Sequence, residues 1–289
     1  MTPMSLDELA TRLNKLAILS PNRSHLLMAV TADDPDMGEL IRLVESDVLI
    51  SARTLRVANS SFYGLPQQVD SVGHAVTLVG LRSLQSMVLA AVVMEQFRSQ
   101  DPQLQHTLTQ HWKHAVAVAV CARKLAPRAR LSADTAFTAG LLHDIGRLVM
   151  AMLDPQRYRL GVQGQDDPDL RHTEEEVAPL LLAERRVWGF DHCQVGSMLA
   201  AQWRLPPTLS RTMALHHDCG HLEADDLVCL VQVANAVAHA LDLLEDPDDQ
   251  VPNIHPDAWR RLNLDWTDSD ALLSDIEATY QLVCRQLLP

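Results

Sequence analysis

The stretch Phe137-Thr-Ala-Gly-Leu-Leu-His-Asp-Ile-Gly146 places an imidazole, His143, directly beside a carboxylate, Asp144, within an apolar run that favours a helix. Polar side chains are costly to bury unless they are paired or bind a ligand. Neutral imidazoles and carboxylates are common ligands of divalent transition metals. A His-Asp pair alone also fits a structural hydrogen bond in which the carboxylate orients the ring. The stretch therefore predicts either a metal site or a structural pair.

Four further histidines in separate helical patterns favour a shared site. A single histidine on an apolar helix is usually a core or surface residue. Five histidines are interpreted in that way: His106, His111, His221, His239 and His255. His114 precedes the His-Asp pair, whereas His192 and the adjacent His216 and His217 follow it. We predict that one central pocket is lined by His114, His143, Asp144, His192, His216 and His217.

Motifs along most of the chain resemble those of the HDOD family, a branch of the HD superfamily of metal-dependent phosphohydrolases. They are Gly140-Leu-Leu-His-Asp-Ile-Gly146, Leu55-Arg-Val-Ala-Asn-Ser-Ser-Phe-Tyr-Gly64, Val69-Asp-Ser-Val-Gly-His-Ala-Val-Thr-Leu-Val-Gly80, Trp112-Lys-His-Ala115, Gly189-Phe-Asp-His-Cys-Gln-Val-Gly196, Trp203-Arg-Leu-Pro206 and His216-His217. The resemblance runs from about residue 15 to about residue 240. It implies an all-α, multi-helical HD-like bundle with an N-terminal helical subdomain and a C-terminal helical extension.

The chain departs from the pattern of a related catalytic branch, the HD-GYP phosphodiesterases. The six pocket residues match the positions of metal ligands in that branch, but the closing aspartate falls on Asn235. A neutral amide is a poorer ligand, so Asn235 is expected to be a weak ligand at most. The usual lysine after Asp-Ile-Gly is Arg147, and no Gly-Tyr-Pro segment follows His217. We assign Arg147 and Glu184 to the pocket.

The resemblance implies a regulatory module of bacterial signalling. We predict a non-catalytic protein that binds a partner signalling protein, or a small effector such as a nucleotide, through a degenerate HD-type pocket, with or without metal. The alternative is a metal-dependent phosphohydrolase, in which metal ions lower the pKa of a bridging water. Where metal is bound, we expect a divalent transition metal (Fe, Mn, Zn or Ni) at partial occupancy, because one ligand charge is missing.

Composition favours helices and argues against nucleic acid as a direct partner. Of 289 residues, 47% are hydrophobic, whereas only 11 are glycine and 4% are aromatic, so an all-α protein with a large core is expected. The net charge of −13 disfavours binding to phosphate backbones. We interpret the one basic cluster, Arg123, Lys124, Arg128 and Arg130, as a solvated helix end and loop. The helix-turn-helix-like spacing of residues 75–81 is interpreted as plain helix packing.

Cysteine usage and apolar runs favour the cytoplasm. None of the five cysteines forms a CxxC pair, so reduced thiols are expected at Cys121, Cys193, Cys219, Cys229 and Cys284. The N-terminus lacks the basic and apolar regions of a signal peptide. The apolar runs at residues 87–94 and 115–122 are too short to span a bilayer. We therefore expect a cytoplasmic protein with no membrane partner.

Three stretches are predicted: an N-terminal helical part at residues 1–105, an HD-like core at 106–244, and a C-terminal extension at 245–289. The amphipathic helix at residues 269–287 either packs on the domain or mediates association, as in a homodimer. In the first stretch, helices are predicted at residues 6–16, 37–49 and 50–58, and from Asp70 or Ser71 to Gly80. The start signal of the second helix is Asp34-Pro-Asp36.

The core stretch carries the predicted pocket. The His-Asp motif is predicted to lie within one helix that begins near Ser132 and ends at Met152. Asp191 is expected to cap the helix that carries His192. Residues 173–176 match a capping box, and residues 161–169 are predicted to form a polar loop, either a lid or a surface connection.

Overall fold

The computed structural model describes residues 3–32, 34–60, 63, 67–164, 178–244 and 250–288. Within these ranges the chain forms helices and no strand, which confirms the all-α prediction. The helices are α1 (Leu6–Leu16), α2 (Pro21–Thr31), α3 (Met37–Ser46), α4 (Val48–Ala58), α5 (Val72–Val79), α6 (Leu81–Gln96), α7 (Pro102–Leu125), α8 (Ala133–Leu142), α9 (Ile145–Leu153), α10 (Pro155–Gly164), α11 (Pro179–Trp188), α12 (His192–Gln202), α13 (Pro207–Leu215), α14 (Asp226–Ala240), α15 (Pro256–Leu262) and α16 (Ser269–Leu287).

Short polar side chains explain most of the helix starts, because they accept hydrogen bonds from backbone N–H groups that have no partner inside the helix. Asp36 caps α3 and Ser71 caps α5, as predicted. α5 ends at Gly80, whose φ of 82° lies in the left-handed region that favours glycine. The predicted boundary between residues 49 and 50 is wrong, because Asp47 ends α3 and caps α4.

Two helices, α2 and α10, are not predicted by the sequence pattern. α10 includes residues 161–164, so the prediction of a polar loop is wrong for that part. Residues 165–169 of the predicted loop and residues 173–176 of the predicted capping box lie outside the described residues.

The predicted continuous helix through the His-Asp motif is also wrong. Ser132 does cap its start, but α8 ends at Leu142 and α9 begins at Ile145. Between them, Asp144 has φ −100° and ψ 16°, outside the helical region. His143 and Asp144 therefore lie at a bend between two helices, and both side chains are buried there.

α7 is the central helix of the core. It packs against α8 and α14, while α13 packs against α8, α12 and α14. α6, α7 and α14 bury residues around most of their circumference, as expected for helices surrounded by protein. α16 packs against α7 and α4, so the amphipathic C-terminal helix lies on the domain. These contacts place α7, α9, α12 and α14 around one interior region.

Two glycines of the motif permit unusually close helix contacts. A Cβ atom on Gly146 would lie 2.0 Å from the carbonyl oxygen of His192. A Cβ atom on Gly140 would lie 2.8 Å from the Cα atom of Ala119. Both distances are shorter than real Cβ contacts, so α9 meets the start of α12, and α8 meets α7, only because these positions lack a side chain.

The segment Ala133–Leu153 is longer than either of the apolar runs considered above. Its length and composition alone would suit a membrane span, with 21 residues. However, 83% of its most apolar window is buried inside the protein, and it bends at the His-Asp motif. Buried core segments pass the same test, so the segment is weak evidence for a membrane.

The basic cluster does not form a free cationic surface. Arg123 pairs with Asp134, and Lys124 Nζ lies 2.6 Å from Asp275 Oδ2. Arg128 donates hydrogen bonds to backbone carbonyl oxygens in the segment between α15 and α16. The interpretation as a solvated helix end is therefore wrong for these three residues, which join α7 and the turn after it to α8 and to the C-terminal extension.

Cys219 and Cys229 form a disulfide, contrary to the prediction of five reduced thiols. The cross-link joins the segment that follows α13 to the first turn of α14. Their Cα atoms are 5.2 Å apart, which suits a disulfide. Cys121 and Cys193 are buried free thiols, and Cys284 is half-buried.

Candidate metal centre

The structure brings together the six residues predicted to line one pocket: His114, His143, Asp144, His192, His216 and His217. They come from α7, from the bend between α8 and α9, from the first turn of α12 and from the segment after α13. Ring centroids of neighbouring histidines lie 4.3 to 5.4 Å apart. All six except His217, which is half-buried, are buried.

Hydrogen bonds determine which ring nitrogen of three histidines faces the cluster. His143 Nδ1 lies 2.7 Å from the carbonyl oxygen of Gly140, and His216 Nδ1 lies 3.2 Å from a carbonyl oxygen of α13. His192 Nδ1 lies 2.7 Å from Glu184 Oε2. Carbonyl and carboxylate oxygens only accept hydrogen bonds, so each Nδ1 donates. The Nε2 atom of each ring is therefore left to face the cluster.

These Nε2 atoms converge closely. His192 Nε2 lies 3.3 Å from His216 Nε2 and 3.2 Å from His217 Nε2. Two lone pairs at this distance repel each other unless a proton or a cation lies between them. Zinc bonds imidazole nitrogen at about 2.0 to 2.1 Å, which places neighbouring ligand nitrogens roughly 3 to 3.5 Å apart. The spacing therefore fits a shared divalent ion.

Asp144 links the two sides of the cluster. Its Oδ1 atom lies 3.2 Å from the Nε2 atoms of both His192 and His216, and 3.7 Å from His143 Nε2. Its Oδ2 atom lies 3.7 Å from His114 Nε2. A buried carboxylate among imidazoles supplies the negative charge that a divalent cation needs. The residues present therefore fit a divalent transition metal.

The two predicted pocket residues, Glu184 and Arg147, support the ligands from behind. Glu184 is 1% exposed and accepts hydrogen bonds from both the backbone N–H and Nδ1 of His192. Arg147 Nη1 lies 3.2 Å from Asp144 Oδ2, and its guanidinium also hydrogen-bonds Tyr158. Such partners orient metal ligands and tune their basicity.

Asn235 lies on α14, which packs against the helix that carries His114. Its side chain is 8% exposed, and its Oδ1 atom has no hydrogen-bond partner among the described residues. A buried amide oxygen without a donor is costly, and an ion would satisfy it. One turn later, His239 lies with its ring centroid 5.1 Å from that of His114. The interpretation of His239 as a core or surface histidine therefore misses a group beside His114, although its spacing of four residues from Asn235 could have indicated it.

Two groups of donor atoms are compact enough to hold an ion. One donor atom each of His192, Cys193, His216 and His217 lie within 4.8 Å of one another. A second group, equally compact, contains His114, His143 and Asp144. The thiol of Cys193 is not among the ligands predicted from the sequence, because the resemblance carries over only the histidine that precedes it.

Burial sets the charge of most of the cluster. It lowers the pKa of His143 to about 4 and the pKa values of His114 and His217 well below their ordinary range. Burial alone would raise the pKa of Asp144, but His143 and His192 lower it overall. At neutral pH His114, His143 and His217 are therefore neutral and Asp144 is ionised, the forms that bind metals.

His192 is the exception. Burial lowers its pKa, but Glu184 on one side and Asp144 on the other raise it well above its ordinary value overall. In the absence of a metal ion, His192 thus holds a proton between two carboxylates. A metal ion at Nε2 would displace that proton, because only the free lone pair can coordinate.

We expect the metal-free protein to lose stability as the pH falls from about 6.5, the ordinary pKa of histidine, towards 4. Four histidines have pKa values lowered by burial: His111, His114, His143 and His217. In this pH range each of them takes up a proton on unfolding, because the folded protein keeps its ring neutral. Each histidine therefore lowers the free energy of unfolding by up to about 1.4 kcal/mol per pH unit. His192 has a raised pKa and opposes this trend, because its contribution is present at low pH and is lost as the pH rises.

Urea unfolding of chelator-treated protein at pH 7.5, 6 and 5 measures this effect. The control variant is His106→Gln, which removes an exposed histidine from the same helix as His111 and His114 and should leave the pH dependence unchanged. Equal free energies of unfolding at pH 7.5 and pH 5 would show that these imidazoles protonate freely in the folded protein.

The family model of the HDOD domain matches residues 16–219. A curated relative, an uncharacterised protein from Treponema pallidum (strain Nichols), is 24% identical over 246 residues, which are 84% of this chain and 46% of that protein. The chain thus spans about half the length of this relative.

Solved structures share the fold at low sequence identity. A proposed phosphohydrolase from Shewanella amazonensis SB2B superposes with a TM-score of 0.74 and 22% identity, covering 96% of this chain and 97% of that one. An HDOD domain protein of unknown function from Geobacter sulfurreducens superposes with a TM-score of 0.69 and 20% identity, covering 96% of this chain and 98% of that one. A proposed signal transduction protein from Marinobacter aquaeolei VT8 superposes with a TM-score of 0.69 and 18% identity, covering 100% of this chain and 62% of that one. The match of the family model to most of the chain shows that this protein belongs to the HDOD family.

Proposed function

We propose that this protein is a regulatory module of bacterial signalling whose pocket holds one divalent transition metal and does not turn over phosphoesters. It acts in the cytoplasm and binds a partner signalling protein or a small effector such as a nucleotide. Neither nucleic acid nor a membrane is a partner in this proposal. The family and the signal transduction protein with the same fold support a signalling role.

The observation that carries the proposal is the position of Arg147. Its guanidinium lies 3.2 Å from Asp144 Oδ2, the oxygen that faces His114. A second metal ion shared by Asp144 would have to approach this same oxygen. Arginine stays protonated and has no lone pair to offer a metal. The guanidinium therefore takes the side of Asp144 that a second ion would need.

The balance of charge supports a single ion. Asp144 is the one carboxylate among the six predicted ligands, and position 235, where the catalytic relatives have an aspartate, is a neutral amide. Two divalent ions would bring four positive charges into a buried site that already contains Arg147. Isolated charges are strongly disfavoured in the interior. Two-metal phosphoryl transfer needs both ions in place, so this ligand set disfavours turnover.

The residues of the pocket have separate roles in this proposal. Imidazoles of the cluster and Asp144 would hold the ion, while Glu184 keeps the His192 ring in orientation. Once bound, the ion supplies a positive charge and an open coordination position for an anionic group of an effector. His217 and His239 are only half-buried, so the effector would approach from their side.

The alternative function is a metal-dependent phosphohydrolase, which the donor set supports and which matches the name given to the structural neighbour from Shewanella amazonensis SB2B. A direct test separates the two. Protein purified without chelator is analysed for metal content and assayed with Mn²⁺, Fe²⁺ and Mg²⁺ against cyclic and linear phosphodiesters. We expect at most one metal ion per chain and no multiple turnover.

The variant Asn235→Asp restores the missing carboxylate and is expected to raise the metal content above that of the unmodified protein. Multiple turnovers by the unmodified protein that vanish in Asp144→Asn would establish the phosphohydrolase instead. Asn235→Asp adds a negatively charged ligand, whereas Asp144→Asn removes one, and both changes leave the side-chain volume nearly the same. Together the two variants therefore show how the metal content depends on the charge of the ligands.

A further inference from the structure

Cys193 lies where a metal ligand would lie. It follows His192 in the first turn of α12 and is 7% exposed. Its sulfur belongs to the donor group in which atoms of His192, His216 and His217 all lie within 4.8 Å of one another. A buried free cysteine is often only a small apolar side chain. Here, however, the sulfur lies within 4.8 Å of a ring nitrogen of each of three histidines.

The chemistry of the pocket needs a second negative ligand. With Asn235 in place of an aspartate, Asp144 provides the one carboxylate in the donor groups, and Arg147 already neutralises part of its charge. A thiolate at Cys193 would supply the missing negative charge on the side of His216 and His217. Zinc sites in proteins commonly combine imidazole nitrogen with thiolate sulfur, so these imidazoles and a thiolate form a suitable donor set.

We propose that Cys193 is a metal ligand, and that it makes the pocket selective for a thiophilic divalent ion such as Zn²⁺ over Mg²⁺ or Mn²⁺. This inference rests on the metal site of the proposed function and names the class of ion that the site takes. On binding, the S–H bond breaks, the sulfur lone pair bonds the ion, and the proton leaves to solvent. Soft thiolate ligands prefer zinc, whereas hard oxygen ligands prefer magnesium and manganese.

Cobalt substitution tests the assignment on the unmodified protein. The reduced, chelator-stripped protein is freed of reductant and titrated with Co²⁺, with Zn²⁺ competition afterwards. A bound Co²⁺ ion gives visible d–d bands, and a sulfur ligand adds a thiolate-to-cobalt charge-transfer band in the near ultraviolet. We expect both, and we expect Zn²⁺ but not Mg²⁺ to abolish them.

Two matched cysteine variants identify which sulfur binds the ion. Cys193→Ser should lose the charge-transfer band and weaken zinc binding by roughly 100-fold or more, since loss of even an outer-shell partner costs about 10 to 100-fold. Cys284→Ser removes a half-buried thiol on α16 and should change neither. Both variants retain Cys219 and Cys229, so any signal from these thiols after reduction remains visible in both.

The outcomes separate this inference from the proposed function. Visible d–d bands without a charge-transfer band in the unmodified protein would overturn the role of Cys193 and leave the metal site standing. The absence of any cobalt spectrum would overturn both. A charge-transfer band that persists in Cys193→Ser would assign the sulfur to another cysteine and overturn the inference. Because the first measurement uses the unmodified protein, the inference stays testable even if Cys193→Ser does not fold.

Discussion

Replacement of Asp144 with asparagine is expected to empty the metal centre. Asp144 lies within 3.2 Å of both His192 Nε2 and His216 Nε2 and contributes to the second donor group with His114. Without this carboxylate the two donor groups keep only imidazoles and the sulfur of Cys193, so a buried divalent ion loses much of the negative charge that stabilises it. The amide is nearly the same size as the carboxylate, so the change isolates charge. We expect the metal content to fall at least about 10-fold, the lower bound for loss of even a supporting partner.

Elemental analysis of the purified proteins measures this loss. The matched control is Asp134→Asn, which removes a carboxylate from another partly buried pair with an arginine, Arg123, away from the cluster. That variant should lose stability but keep its metal. The double variant His143→Ala with Asp144→Ala should also be metal-free. Unchanged metal content in either site variant would place the ion elsewhere in the protein.

The second large effect is expected from Gly146→Ala. The added Cβ atom would lie 2.0 Å from the carbonyl oxygen of His192, which is backbone and cannot rotate away. α9 and α12 must therefore separate, and His192 must move with α12. Overpacking of a well-packed core costs about 1 to 3 kcal/mol and occasionally more, and we expect the upper end or beyond. Metal content should fall too, because the ligand helix is displaced.

The control for this variant is Gly73→Ala. Gly73 also lies inside a helix, but an added Cβ atom would meet only a side-chain atom of Ile41 at an ordinary 3.9 Å. Alanine is the better helix former, so this variant should be unchanged or more stable by up to about 1 kcal/mol. Urea unfolding and metal analysis of both proteins provide the comparison. A free energy of unfolding for Gly146→Ala equal to that of the unmodified protein would mean that α9 and α12 pack less tightly than described.

The two glycines of the motif contribute to the site as well as its His-Asp pair, because they allow the close helix contacts that position the other ligands. Gly146 is required where α9 crosses the start of α12, and Gly140 is required where α8 meets α7. The same stretch therefore contributes two ligands and the two close contacts that hold neighbouring helices near them. A His-Asp pair without these glycines would not bring His192 within reach of Asp144.

Local signals predicted the helices whose ends are determined by a single capping residue. α5 begins after Ser71 and ends at Gly80, and α3 begins after Asp36, because these residues satisfy helix ends by themselves. Asp191 likewise caps α12, with Gln194 completing the capping box. The bend at Asp144 has no such local cause, since its side chain makes no capping hydrogen bond. Asp144 instead contacts Arg147 on α9 and imidazoles from other parts of the chain.

The amino-acid sequence by itself determined that the protein is helical, and it identified the six residues that meet in the pocket, because apolar periodicity and motif residues are local properties. Tertiary structure alone decided which contacts these residues make and which further groups join them. Cys193 and His239 join the cluster, and the guanidinium of Arg147, which the sequence already assigned to the pocket, lies against Asp144. Away from the cluster, Cys219 pairs with Cys229. These relations depend on distances between helices that are remote in the chain, and those distances follow from how closely side chains, or their absence at glycine, allow the helices to pack.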